Sequence, residues 1–388
     1  MIIELHLLQS FPASNLNRDD VGQPKSVTFG GVTRGRISSQ CLKRSARGLF
    51  PRFGLGADER GVRTKRLLLA TARILDGTKG EPTDETKDIV REALRVLGFK
   101  VTEEDLTQYL FFLGRDAAEH LADFCRQHRD RLEKAAAARR GEGAKKKDGK
   151  TKKVGPDAAA VEAARHILSA GRAADIALFG RMIANNRDFN VDAASQVAHA
   201  VSTHAVTTEF DYYTAVDDLK SAETDEDAGA DMIGTVDFNA ACYYRYANVN
   251  LAQLEENLAI RDDEDDLVER ATSAWIKAFV QATPSGKQNS MAAHTRPEAL
   301  LAVVREHSAW NLANAFLKPV EGTDIMGDST ERMLKHFTDL NAFYGDGEIK
   351  AVIGASPTGA LPHLEATSTV TSLGEFTDRI VAAAREKR

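Results

Sequence analysis

From Ile2 to Leu8 the chain is apolar and β-prone, interrupted only by Glu4 and His6, and reads as a first strand. Residues 10–33, rich in Asn, Asp, Gly and Pro, read as a loop. From about Arg60 the period lengthens to that of a helix, over 64–75, 84–97 and 102–140, with Glu103 and Glu104 in the first turn of the third. A further helix is predicted over 157–168. Beyond it, 175–182 is a strand candidate, and 194–206 suits strand or helix equally. Aromatic and β-branched residues over 207–216, followed by an acidic Gly/Ala/Asp tract to Gly234, suggest a projecting hairpin. A strong strand follows over 236–249, then a helix over 266–282 with Trp275 and Phe279 inward, then a loop over 284–290. The C-terminal part alternates strands (300–304, 349–353) with helices (329–343, 374–387), and no repeat of 20 to 50 residues stands out. The pattern predicts an α+β core interrupted by a helical insertion over about 60–175.

The most informative stretch is Arg34-Gly-Arg-Ile-Ser-Ser-Gln-Cys-Leu-Lys-Arg-Ser-Ala-Arg47, a glycine-bearing basic loop running into a short helix. Ser38 or Ser39 can cap that helix. At 3.6 residues per turn, Gln40, Lys43, Arg44 and Arg47 share one face, and Leu42, Ala46 and Leu49 the other. Free first-turn amides beside a basic stripe suit a phosphate, and a run of phosphates best. The wheel alone leaves a solvated amphipathic helix equally open.

Charge sharpens this picture. The 388 residues carry a formal net charge of −6, so the mean does not announce a polyanion binder. Yet 34–66 holds ten basic and two acidic residues, and 139–153 eight basic and two acidic, while 217–231 and 261–269 are rich in carboxylates. Such segregation creates local fields and permits one copy to meet the next. Three scattered cysteines, Cys41, Cys125 and Cys242, point to a reducing cytosol without disulfides or a thiolate metal site. The N-terminus lacks a secretion pattern and no apolar run is long enough to span a membrane, so the expected location is cytoplasmic.

Other motifs are weaker. Ser285-Gly-Lys-Gln-Asn289 fails as a P-loop, because Gln281 stands where the first glycine belongs and Gln follows Lys287. Gly54 and Gly56 do not form a dinucleotide fingerprint. His199 and His204 lack helical metal-ligand spacing and read as structural histidines; no metal or cofactor is expected. Asp19 and Asp20 could hold Mg²⁺ for phosphodiester cleavage, against the plainer reading of a turn in which Asp19 accepts backbone bonds.

Leu16-Asn-Arg-Asp-Asp20, Phe29-Gly-Gly31 and Arg36-Ile-Ser-Ser-Gln-Cys-Leu-Lys-Arg44 together resemble the backbone subunit of the type I-E CRISPR Cascade complex, the CasC family. Further matches lie at Leu178-Phe-Gly-Arg-Met182, Gln196-Val-Ala-His-Ala200, Tyr213-Thr-Ala-Val-Asp-Asp-Leu219, Tyr244-Arg-Tyr-Ala-Asn248 and Pro284-Ser-Gly-Lys-Gln-Asn289. The resemblance implies a modified RRM-like (ferredoxin-like) palm of three pieces (1–59, 176–202 and 237–388), a helical finger at 60–175 and a β-hairpin thumb at 203–236. It implies a non-catalytic subunit that oligomerises head to tail along crRNA with other Cascade subunits, for recognition of double-stranded target DNA in antiviral defence. The rival is a metal-dependent RNase using Asp19 and Asp20.

By position, the resemblance implies guide-backbone contacts at Arg18, Lys25, Ser38, Gln40, Lys43 and Arg47, with Met182 beside a kinked nucleotide. Arg44, from the helical face, and the polar Lys287, Gln288 and Asn289 join the RNA-binding set. Phe210 and Tyr212 in the thumb are candidates for base stacking. Arg139, Arg140, Lys145, Lys146 and Lys147 are candidate contacts to target DNA through counterion release. A scaffold that accepts any guide sequence must rely on phosphate and ribose contacts.

Overall fold

The computed structural model describes residues 1–142, 158–169, 171–183, 189–215, 232–260, 266–345, 347–358 and 361–385. The chain divides into two compact units, Met1–Gly54 with Ser195–Ala252 and Val268–Arg388, and Leu55–Ala194 with Gln253–Leu267. The first unit begins with β1 (Ile2–Ser14), β2 (Ser26–Phe29), β3 (Val32–Ile37) and α1 (Ser39–Leu49). The second supplies β4 (Val62–Thr64), α2 (Leu67–Asp76), α3 (Asp84–Val96) and β5 (Phe111–Leu113), then α4 (Ala117–Gln127), α5 (Arg129–Glu142), α6 (Ala158–Ile167) and α7 (Ala174–Phe179). The chain returns to the first unit with β6 (Ser195–Val197), β7 (Ala200–Ser202), β8 (Glu209–Ala215) and β9 (Met232–Asn250). α8 (Leu251–Leu258) and α9 (Leu267–Gln281) follow. The chain ends with α10 (Gln288–Met291), β10 (Ala299–Arg305), α11 (Ile325–Tyr344), β11 (Ile349–Ala355), β12 (Thr369–Val370) and α12 (Leu373–Arg385).

The first unit is built on one mostly antiparallel ten-stranded sheet, ordered β12-β11-β10-β1-β9-β7-β3-β2, with β6 and β8 also paired to β9. β1 is central, between β9 and β10, which explains why its middle is buried on both faces and reads as a nearly continuous apolar run. On one face Leu8, Tyr244, Leu301 and Val303 pack with Met333, Leu334 and Phe337 of α11. The other face carries Leu5, Leu7 and the buried Arg245, whose guanidinium donates to the Phe279 carbonyl of α9 and lies over the Phe279 ring, 4.9 Å from its centroid. Trp275 and Phe279 are buried, as the helical period predicted.

The second unit has its own core, in which Leu68, Val90, Leu94, Leu113, Leu121 and Ile167 meet. Thr83 caps α3 by accepting from the Thr86 amide at 3.3 Å, and Asp84 and Glu85 complement the dipole. The fold class is mixed α+β. Among the described residues no helix is long and apolar enough to cross a membrane.

Several local expectations are corrected. Residues 10–33 are not one loop: β1 runs on to Ser14, and β2 and β3 form a hairpin about Gly30 and Gly31, at φ 61° and 83°, the conformation a two-residue turn needs. Residues 102–140 are not one helix, because Asp105 takes φ 59°, Phe111–Leu113 pairs with β4, and α4 starts only after Gly114. The strand expected over 175–182 is helix α7, with Asp175 in its first turn accepting from the Gly61 amide at 2.6 Å; a short apolar run is ambiguous in period. Of 194–206, two short strands form. The loop over 284–290 contains the short helix α10.

Candidate nucleic-acid interface

α1 starts where the sequence placed it. Ser38 is the N-cap at φ −67°, its hydroxyl accepting from the Cys41 amide at 3.3 Å, while its own amide donates to Asn17 Oδ1 at 2.8 Å. Leu42 and Ala46 face inward and are 1% exposed. The Asn17 bond draws the 16–20 loop onto the helix start, and the two form walls of an open cleft of about 890 Å³. Arg18, Asp19, Gln40, Cys41, Arg44 and Gly48 line it on those sides, and Thr283, Ser285 and Gly286 close it on another.

Gly286 explains that closure. A Cβ there would lie 2.4 Å from the Leu16 carbonyl oxygen and 2.6 Å from that of Asn15. Only a glycine admits so close a backbone approach. The motif that failed as a P-loop thus has a steric reason for its glycine. Lys287 takes φ 50° as the N-cap of α10, Gln288 Nε2 donates to the Pro284 carbonyl at 2.8 Å, and Asn289 is exposed; none of the three lines the cleft.

The helical face of the sequence reading divides. Gln40 and Arg44 line the cleft, while Lys43 and Arg47 are half-buried and lie outside its lining. Burial holds the Lys43 ammonium below its ordinary value. Lys25 is half-buried, its amide donating to the Asn17 carbonyl at 2.9 Å and its carbonyl accepting from the Arg36 amide at 2.8 Å. Burial, opposed by the charges of Arg44 and Lys25, raises the Cys41 thiol. Among the described residues no carboxylate pairs with Arg18, Lys25, Arg36 or Arg44.

Arg34, read as part of a basic loop, is fully buried. Its guanidinium donates to the carbonyls of Phe29 (3.2 Å), Ser202 (2.9 Å) and Phe316 (2.9 Å), tying the β2–β3 hairpin to the sheet. The alternation in Val-Thr-Arg-Gly-Arg-Ile could have revealed a strand here, though not this burial. Asp19 Oδ1 accepts from the Val21 and Gln23 amides at 3.0 and 2.9 Å, which is the turn weighed against a metal role. Among the described residues no group of three or more His, Cys, Asp or Glu could hold a metal ion.

β8 pairs with the first half of β9 as a hairpin, Glu209↔Phe238 to Ala215↔Met232. Phe210 and Tyr212 share one face, 75% and 62% exposed. Tyr213, on the other face, covers Gly234, where an added Cβ would meet its ring at 2.4 Å. In the second unit Met182 is 82% exposed. Also there, Arg139 and Arg140 pair with Glu92 and Asp88 of α3 at 3.1 and 2.6 Å. Lys145, Lys146 and Lys147, and the acidic tract 220–231, lie outside the described residues.

The model of one family, described as CT1975-like protein, matches residues 3–379. The chain belongs to that family. Among solved structures, a chain of a "CRISPR RNA-guided surveillance complex, pre-nicking" superposes with a TM-score of 0.81 at 30% identity, covering 99% of this chain and 100% of that one. A chain of a "CRISPR RNA-guided surveillance complex" superposes at 0.69 and 25% identity, again over 99% and 100%. No curated protein matches. This CT1975-like chain therefore has the fold of CRISPR surveillance-complex subunits, the group to which its motifs pointed.

Proposed function

We propose that this chain is a non-catalytic, crRNA-binding backbone subunit of a type I-E Cascade complex, whose copies assemble head to tail along the guide. The ten-stranded unit then serves as a modified RRM-like palm, the second unit as the finger and the β8–β9 hairpin as the thumb. The observation that carries this reading is the open cleft at the capped start of α1, lined by Arg18 and Arg44 with Lys25 and Arg36 close by, none of the four paired with a carboxylate among the described residues. Cations with no carboxylate partner among the described residues, beside a wide and open cleft, suit a chain of phosphates better than a small molecule. The β8–β9 hairpin offers Phe210 and Tyr212 as bare aromatic faces, which stack on any base without reading its sequence. Guided recognition of double-stranded DNA in antiviral defence follows from membership of such a complex. Asp19, whose carboxylate is held by two amides, serves in this reading to shape the Arg18 loop.

The test is to express the tagged chain together with a CRISPR array and the partner subunits, and to analyse the RNA that co-purifies. A repeat-derived RNA of discrete length, retained through size exclusion with several copies of the chain, is expected. A monomer free of RNA would refute the proposal. Incubating the particle with matched RNA and Mg²⁺, with Asp19→Ala as comparison, tests the absence of catalysis; aspartate-dependent cutting would overturn it.

A further inference from the structure

Two histidines in the segment 199–204 are held in opposite ways. His204 is consumed by the backbone: Nδ1 donates to the Ala205 carbonyl at 2.8 Å, and Nε2 accepts from the Cys242 amide at 3.2 Å. That is a structural histidine. His199 is exposed, and its one hydrogen-bond partner among the described residues is another cation-bearing side chain, Arg36, whose Nη1 lies 3.2 Å from its Nδ1. A guanidinium can only donate, so Nδ1 must be the accepting, unprotonated nitrogen and the ring proton sits on Nε2. Burial first, then the charges of Arg36 and Lys25, hold the imidazole below its ordinary value, in keeping with a neutral ring.

The backbone fixes the arrangement. The antiparallel register Arg36↔Val201, Ile37↔Ala200, carried one step further, sets His199 beside Ser38, the cap of α1. Arg36 Nε donates to the Ser26 carbonyl at 3.2 Å, which orients the guanidinium along the β2–β3 hairpin. With Nε and Nη1 engaged, Nη2 of Arg36 is left for a ligand. Lys25 is near enough to act on both His199 and Cys41, and Cys41 lines the cleft, so the group adjoins the cleft.

We infer that Arg36 and Lys25 form a further phosphate site, in which Arg36 Nη2 and the Lys25 ammonium supply charge and His199, accepting from Arg36 Nη1, holds the guanidinium in place. Two neighbouring cations with no carboxylate partner among the described residues suit the charge of one phosphodiester. The inference rests on the RNA-binding reading above and adds to it Arg36 and His199, which lie within the quoted motifs but are not among the contacts expected from them. Arg36 thus has two contacts, one with the phosphate and one with the imidazole that positions it.

The two side chains have separable signatures in salt. Binding of a fluorescein-labelled, mixed-sequence single-stranded RNA to the full chain is measured by anisotropy across a salt series, with circular dichroism as a check on folding. Arg36→Gln should weaken binding at least tenfold at low salt and lower the slope of log K against log salt by about 0.7, the share of one phosphate on a single strand. His199→Ala should weaken binding roughly tenfold with the slope unchanged, because it frees the Arg36 guanidinium to wander without removing a charge. If wild-type protein binds no RNA, the RNA-binding reading and this site fall together. If wild type binds and Arg44→Glu weakens it while Arg36→Gln and His199→Ala bind normally, the site alone is refuted. Normal RNA affinity with lost self-association would also refute it, assigning the cations to a carboxylate of a neighbouring copy.

Discussion

The close approach of Gly286 to the 15–16 backbone gives a sharp prediction, because the space for a side chain there is known on every side that matters. In Gly286→Ala the new Cβ would sit 2.4 Å from the Leu16 oxygen, against an ordinary contact of 3.4 Å or more, so about 1 Å of separation must be found. The Leu16 side cannot readily yield. Asn15 is buried, and its Nδ2 donates to the Gly22 and Asp237 carbonyls at 3.0 and 2.9 Å, pinning that backbone. The 284–286 loop must therefore move outward and widen the cleft. Overpacking against backbone costs about 1–3 kcal/mol, and with no flexible side-chain end to swing aside about 2 kcal/mol is expected. At a urea slope of about 2–3 kcal/mol/M this lowers the midpoint by about 0.7–1 M. The chain's two tryptophans, Trp275 and Trp310, both lie in the first unit, so their fluorescence follows that unit alone. Gly48→Ala is the opposite control: Gly48 also lines the cleft, lies exposed in α1, and a Cβ there meets nothing within 4 Å. It should stabilise by about 0.5–1 kcal/mol, the ordinary penalty of a helical glycine. Gly286→Ala unfolding at or above the Gly48→Ala midpoint would refute the steric account of the cleft.

Arg44→Glu should reduce RNA affinity by tenfold or more at low salt while moving the urea midpoint little, since an exposed residue without an ion pair among the described residues supports little of the fold; a large midpoint shift with intact RNA binding would contradict the assignment. Phe210→Ala and Tyr212→Ala, at exposed positions, should each leave folding within about 0.5 kcal/mol and cost about 1–3 kcal/mol of single-strand affinity, whereas unchanged affinity would remove the hairpin from the interface. On β1, burial and the Arg305 charge hold His6 down at about 3, and burial pushes Glu4 up to about 7 against Arg305. The histidine's contribution is present above 6.5 and lost as pH falls towards 3, while that of the carboxyl is present below 4.5 and lost as pH rises through 7. Their slopes oppose between 4.5 and 6.5, so His6→Gln should unmask a stability that falls by about 1.4 kcal/mol per pH unit there, and a slope like wild type's would refute the pairing.

What could be read in the sequence was local. The α1 cap needs only Ser38 and the amide three residues on; the inward Leu42 and Ala46 need only the helical period; the β8–β9 hairpin needs only aromatic, β-branched residues flanking a polar tract. What escaped depends on residues distant in the chain. Arg34 is buried because carbonyls 168 and 282 positions away accept from it, and no window of sequence holds that information. Gly286 is required by a backbone some 270 residues earlier. The wheel treated α1 as an isolated cylinder, and so grouped Lys43 and Arg47 with Arg44; packing of α1 on the sheet half-buries the first two and leaves Arg44 at the cleft. Helix α7 escaped for a different reason, since six residues of Ala, Asp, Ile, Leu and Phe carry too little period to tell helix from strand.

The pairing of cations differs between the helices of the second unit and the surroundings of α1. In the second unit Arg91, Arg95, Arg126, Arg139 and Arg140 each lie against a carboxylate, mostly one helical turn away or on a facing helix. Such exposed pairs contribute little stability individually, but they neutralise the surface that bears them. Around α1, Arg18, Lys25, Arg36 and Arg44 have no carboxylate partner among the described residues, although Asp19 and Asp20 line the same cleft, and Arg36 spends a donor on a histidine. Like charges held together raise the energy of the free chain, and a protein with 57 acidic residues had many ways to relieve that. Under the proposed reading, the anion that answers these cations is the phosphate backbone of the guide.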